Sequence, residues 1–89
     1  MTDMKRWTVE ILIGEVDRRT YAEAQLYDEI GDNLVGTGTA VQHPADPGVP
    51  EIGDEIAVAR ALADLGQRLL STASGDLEVA TGEKILLTH

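Results

Sequence analysis

The feature that most constrains this chain is a change of period. Up to Gln42, apolar residues recur at every second position. From Asp54 they recur with a helical period, and the segment "PADPGVP", 44–50, stands between the two regimes. Three prolines within seven residues cannot continue a central strand or sit inside a helix, because proline lacks the N–H and fixes φ. One such boundary in 89 residues describes a single domain in which a small sheet is followed by a helix.

The sheet is read from three segments. In "RWTVEILIG", 6–14, Trp7, Val9, Ile11 and Ile13 share one face, and Thr8, Glu10 and Leu12 the other. That alternation predicts a strand. "GEVDRR", 14–19, reads as a charged turn. "TYAEAQLYD", 20–28, alternates again, with Ala22, Ala24 and Leu26 opposed to Tyr21, Glu23, Gln25 and Tyr27; its Ala and Glu would also suit a helix, but the flanking alternation favours a hairpin of the two segments. "EIGDN" carries turn residues. "LVGTGTAVQH", 34–43, predicts a third strand with Leu34, Gly36, Gly38 and Ala40 on one face. The predicted helix starts at Asp54 or slightly earlier, near Pro50, and runs to about Thr72. Its charged side gathers Arg60, Asp64, Gln67 and Arg68. Residues 74–81, "SGDLEVAT", read as a short second helix or a strand, and 82–89 as a tail whose "ILL" suggests docking on this or another subunit.

Glycine inside a strand marks a close backbone approach. Gly36 and Gly38 are therefore expected to face a shallow helix stripe of Ala59, Ala63 and Gly66, with Leu62, Leu65 and Leu69 on a neighbouring arc, free for the sheet edge or a second subunit. The expected fold is α+β, a three-stranded antiparallel sheet with one long helix on one face.

Composition excludes several functions. There is no Cys, which removes disulfides, zinc–thiolate sites and thiol nucleophiles. No apolar run nears the roughly 20 residues of a membrane span, and "MTDMKRWT" lacks the apolar segment of a signal peptide. A cytoplasmic protein is expected. The chain has no Phe, and Trp7, Tyr21 and Tyr27 are its aromatics. A small aliphatic core favours a homodimer, since a partner adds buried apolar area. Sixteen acidic residues against seven basic ones give a net charge of −9, which opposes direct nucleic-acid binding.

No motif assembles a catalytic centre. "VGTGTAV" lacks the third glycine and following helix of a dinucleotide loop. His43 beside Pro44 and Asp46 could serve as a base or metal ligand, but a hydrogen-bonded histidine at a strand end is the simpler reading. Asp28/Glu29 and Asp54/Glu55 occupy turn and cap positions, and Ser71 and Ser74 lack a nucleophile-elbow context. The expectation is a protein that is not an enzyme and needs no cofactor or metal. The basic residues Lys5, Arg6, Arg18 and Arg19 lie near the ends of the first two strands. If they met in space they would form a small patch for RNA or phosphate. The alternative is a solvated, salt-bridged surface.

The ordered segments "WTVEILIGE", "TYAEAQL", "LVGTGTA", "HPADPGVPEIGDEIAVARALADLGQRLL" and "DLEVAT", across residues 7–81, resemble a family of small actinobacterial proteins of unknown function. Pro50 to Leu65 is the most specific block. The resemblance implies a double-stranded-RNA-binding-domain-like (dsRBD-like) fold, a dimer, and a likeness to ribosome hibernation-promoting factors. A role at the ribosome in stress or dormancy follows from it as an expectation, with an acidic protein-interaction module as the alternative. The partners expected are a second copy and the ribosome or a basic protein.

Overall fold

The computed structural model describes residues 3–31, 33–42 and 50–82. Three strands and one helix follow in chain order: β1 (Thr8–Val16), β2 (Arg19–Tyr27), β3 (Asn33–Val41) and α1 (Pro50–Thr81). The sheet is an antiparallel meander of order β1-β2-β3, and α1 packs on one face of it, as the change of period predicts.

The strand register follows from the alternation. Ile11 pairs with Ala24 and Ile13 with Ala22, while Ala22 and Ala24 pair with Gly38 and Gly36. The small residues of β2 and β3 therefore occupy one face. β1 runs two residues further than "RWTVEILIG" suggests and closes on a two-residue turn. Asp17 and Arg18 both take positive φ, 47° and 65°. That is the mirror-image turn whose twist matches a hairpin. The next turn is fixed by Asp28, whose Oδ1 accepts the N–H of Ile30 and of Gly31 at 2.9 Å.

The core is built from small residues. Ala22, Ala24, Leu26, Ala40, Ala57, Ala61 and Leu65 are buried, with Ile11, Leu34 and Val58 packed against them. Gly36 and Gly38 do face the helix, but they meet a different stripe from the expected one. A Cβ at Gly36 would overlap the backbone of Ala61 and Leu65, and one at Gly38 the backbone of Ala57 and Ala61. Ala59 and Ala63 are exposed, and a Cβ at Gly66 would meet nothing within 4 Å. Leu65, expected on the free arc, is in the core at 6% exposure. The 57/61/65 row carries a leucine that fills the space beyond the alanines, whereas the 59/63 row leads to Gln67.

The helix also differs in length. It runs unbroken for 32 residues, so no second helix or strand forms at 74–81. Gly75 costs about 1 kcal/mol inside a helix, which is less than nucleating a new one. Pro50 opens it, where a missing N–H does no harm. Gly82 closes it with φ 73° and an N–H bonded to the Glu78 carbonyl at 2.8 Å, a left-handed cap. At about 1.5 Å per residue α1 spans ~48 Å, against ~30 Å for a nine-residue strand. Its C-terminal turns project past the sheet. His43, Asp46 and the tail from Glu83 lie outside the described residues.

Candidate interaction surface

The two edges of the sheet are treated differently. α1 lies over β3 and β2 and barely touches β1. Along the β3 edge, helix side chains occupy the free backbone groups. The Thr37 N–H donates to Asp64 Oδ2 at 2.9 Å, and Arg60 Nη1 donates to the Thr39 carbonyl at 2.7 Å. Arg68 Nε holds the same Asp64 oxygen at 3.0 Å. The Thr37 N–H and then the Arg68 guanidinium hold the Asp64 carboxyl below the usual carboxylate range. The charged helix side read from the sequence is thus largely an edge cap, which blunts β3 against further pairing.

β1 has no such cap among the described residues. Every β1 residue is exposed except Ile11, which is half-buried. On the helix side of the sheet, Val9 and Ile13 are 42% and 48% exposed. On the other side Leu12 is 46% and Val16 70% exposed. The flank of α1 away from the Arg60 and Asp64 that seal β3 bears Val58 and Leu62, one position on from the buried Ala57 and Ala61. The result is a long strand with a free backbone edge and aliphatic side chains on both faces.

Two further surfaces adjoin it. At one end of the sheet, Trp7, Leu26, Leu34, Leu69 and Ala73 line a groove of about 630 Å³ with Asp28 and Asp76 at its margin. On the face away from α1, β2 carries a hydrogen-bonded ladder. The Tyr21 hydroxyl donates to Glu23 Oε1 at 3.0 Å, Gln25 Nε2 donates to Glu23 Oε2 at 3.2 Å, and the Tyr27 hydroxyl donates to Gln25 Oε1. The bond to Glu23 raises the Tyr21 hydroxyl above the ordinary tyrosine range.

The four basic candidates do not come together in the single chain. Arg18 and Arg19 sit at the closed end of the β1–β2 hairpin, while Lys5 and Arg6 precede β1 at its open end. Nine strand residues, roughly 30 Å, separate the pairs. The hairpin must hold them apart, because the turn and the N-terminal approach lie at opposite ends of one strand. The Arg6 N–H donates to Glu29 Oε1 at 3.0 Å, which places an acidic side chain beside that pair. Sequence reading missed the uncapped edge, since the registry of Asp64 and Arg60 on β3 depends on where α1 lies.

The comparisons with known proteins agree with this architecture. The uncharacterized protein MT1780 of Mycobacterium tuberculosis is 45% identical over 86 residues, spanning 97% of this chain and 90% of the relative. The uncharacterized protein Rv2632c of the same species is 42% identical over 85 residues, spanning 96% and 90%. The crystal structure of Rv2632c superposes with a TM-score of 0.83 at 43% identity, covering 92% of this chain and 96% of that one. The family model described as Rv2632c-like matches residues 5–85, and the chain belongs to that family.

Proposed function

We propose that this protein is a non-enzymatic, dimeric, stress- or dormancy-associated protein of dsRBD-like build that acts at the ribosome. The observation that carries the dimer is the uncapped β1, with Val9, Leu12, Ile13 and Val16 exposed at the edge opposite the β3 edge that the helix has closed. A sheet finished on one side only suits a protein completed by a partner. The ribosomal part of the reading rests on the resemblance to hibernation-promoting factors.

Within that reading, contact through a basic protein is favoured over direct contact with RNA. The net charge of −9 repels phosphate, and the basic residues are split between opposite ends of β1. The same split favours the second reading, an acidic protein-interaction module without nucleic-acid contact.

Light scattering at micromolar concentration is expected to give twice the monomer mass, and the protein should sediment with ribosomes from stationary-phase cells. The Arg18→Glu/Arg19→Glu variant is expected to keep that binding. Loss of binding in a folded, dimeric variant would assign the contact to RNA phosphate. Absence from ribosomes at every salt concentration would leave the second reading in place.

A further inference from the structure

The phase of the ladder shows which β1 groups are free. In an antiparallel sheet, a residue bonded to one neighbouring strand turns its N–H and C=O away from the other. Thr37 and Thr39 point theirs outward to Asp64 and Arg60, so the even-numbered residues of β3 bond to β2. Their partners in β2 are Thr20, Ala22, Ala24 and Leu26. The odd-numbered residues of β2 therefore bond to β1, at Thr8, Glu10, Leu12, Gly14 and Val16. What remains on the open edge is the backbone of Val9, Ile11, Ile13 and Glu15.

We infer that this edge pairs with β1 of a second copy, antiparallel, with Ile11 on the two-fold axis. The inference rests on the dimer proposed above and specifies its register. Among the alignments centred on Glu10, Ile11 and Leu12, charge selects this one. With Ile11 opposite itself, Val9 faces the partner's Ile13, Trp7 faces the partner's Glu15, and Lys5 faces the partner's Asp17, twice by symmetry. Centring on Leu12 instead sets Lys5 against the partner's Arg19, Arg6 against the partner's Arg18, and Val9 against the partner's Glu15. Centring on Glu10 sets two carboxylates directly opposite each other, a destabilising pair. The Ile11 register joins the two sheets into six strands with both helices on one face. Val9, Ile11 and Ile13 of the two copies then form an aliphatic floor flanked by Val58 and Leu62. Because α1 lies over β3 and β2, nothing among the described residues stands between the two β1 strands. Lys5 is thereby assigned to the interface and not to a phosphate.

The chain has no Cys, so single-cysteine variants report the register cleanly. Facing residues on the axis lie about 5.5 Å apart between Cα atoms, within disulfide reach. Under mild oxidation Ile11→Cys is expected to give a cross-linked dimer, and a mixture of Val9→Cys with Ile13→Cys to give the mixed one. Leu12→Cys should cross-link more slowly than Ile11→Cys. Lys5→Glu should weaken dimerisation by about 2- to 30-fold, the range for two exposed ion pairs, and adding Asp17→Lys should recover it. Fastest cross-linking at Leu12→Cys would overturn the register. If no β1 cysteine exceeded a Ser71→Cys control on the helix surface, while light scattering still gave a dimer, this interface would be wrong and the dimer would stand. A monomer at all concentrations would overturn both.

Discussion

A Cβ at Gly38 would overlap the backbone of Ala57 and Ala61, not the tip of a movable side chain. Gly38→Ala should therefore force α1 off the sheet and cost roughly 1–3 kcal/mol, with Gly38→Val at least as severe. Denaturant unfolding checks this, and unchanged stability would reject the close packing. Gly66 is the opposite case. It sits in the helix, and a methyl group added there would meet nothing within 4 Å, so Gly66→Ala should raise stability by about 1 kcal/mol on helix propensity alone. Arg18 holds a φ of 65° where asparagine or glycine is the favoured residue. Arg18→Gly is expected to stabilise the hairpin by about 0.5–1 kcal/mol, as the left-handed strain released exceeds the added freedom of the unfolded chain.

At the scale of elements, the contact between α1 and the β3 edge depends on pH. The Asp64 carboxyl is lowered in the folded protein by the Thr37 N–H first and Arg68 second. A depressed carboxyl contributes stability above its unfolded pKa, near 4, and loses that contribution as pH falls through the folded value. Wild type should exceed Asp64→Asn in stability at neutral pH, and the difference should close below about pH 4. Chemical denaturation of both proteins across pH 3–7 tests the sign, and a gap that widened in acid would contradict it. The same cap explains why β3 tolerates being an edge strand with a nine-residue length, while β1 remains available for pairing.

Over the whole molecule, stability should fall along α1. Ala57, Ala61 and Leu65 lie on β2 and β3. Leu69, Ala73 and Asp76 only line the groove at the sheet's end. Leu77 and Val79 lie beyond it, 39% and 88% exposed. Amide exchange is expected to be slowest around residues 57–65 and fastest over 77–81, since local opening follows the density of buried contacts. Uniform protection to Thr81 would mean that the projecting turns are covered by another surface in solution.

Strand positions, faces and the proline boundary were legible in the sequence because a period of two is set by local backbone geometry alone. Val9, Ile11 and Ile13 had to share a face wherever the sheet went, and the small residues of β2 and β3 had to meet. The helix face was harder to read. Alanine stands at 57, 59, 61 and 63, which supplies two four-residue rows, 57/61 and 59/63, on different sides of one helix. The signal that separates them was present, since one row continues to Leu65 and the other to Gln67. The sealing of β3 by Asp64 and Arg60 and the open edge of β1 belong to the tertiary structure alone. They follow from the lateral position of α1 over the sheet, a long-range packing choice that no local period encodes.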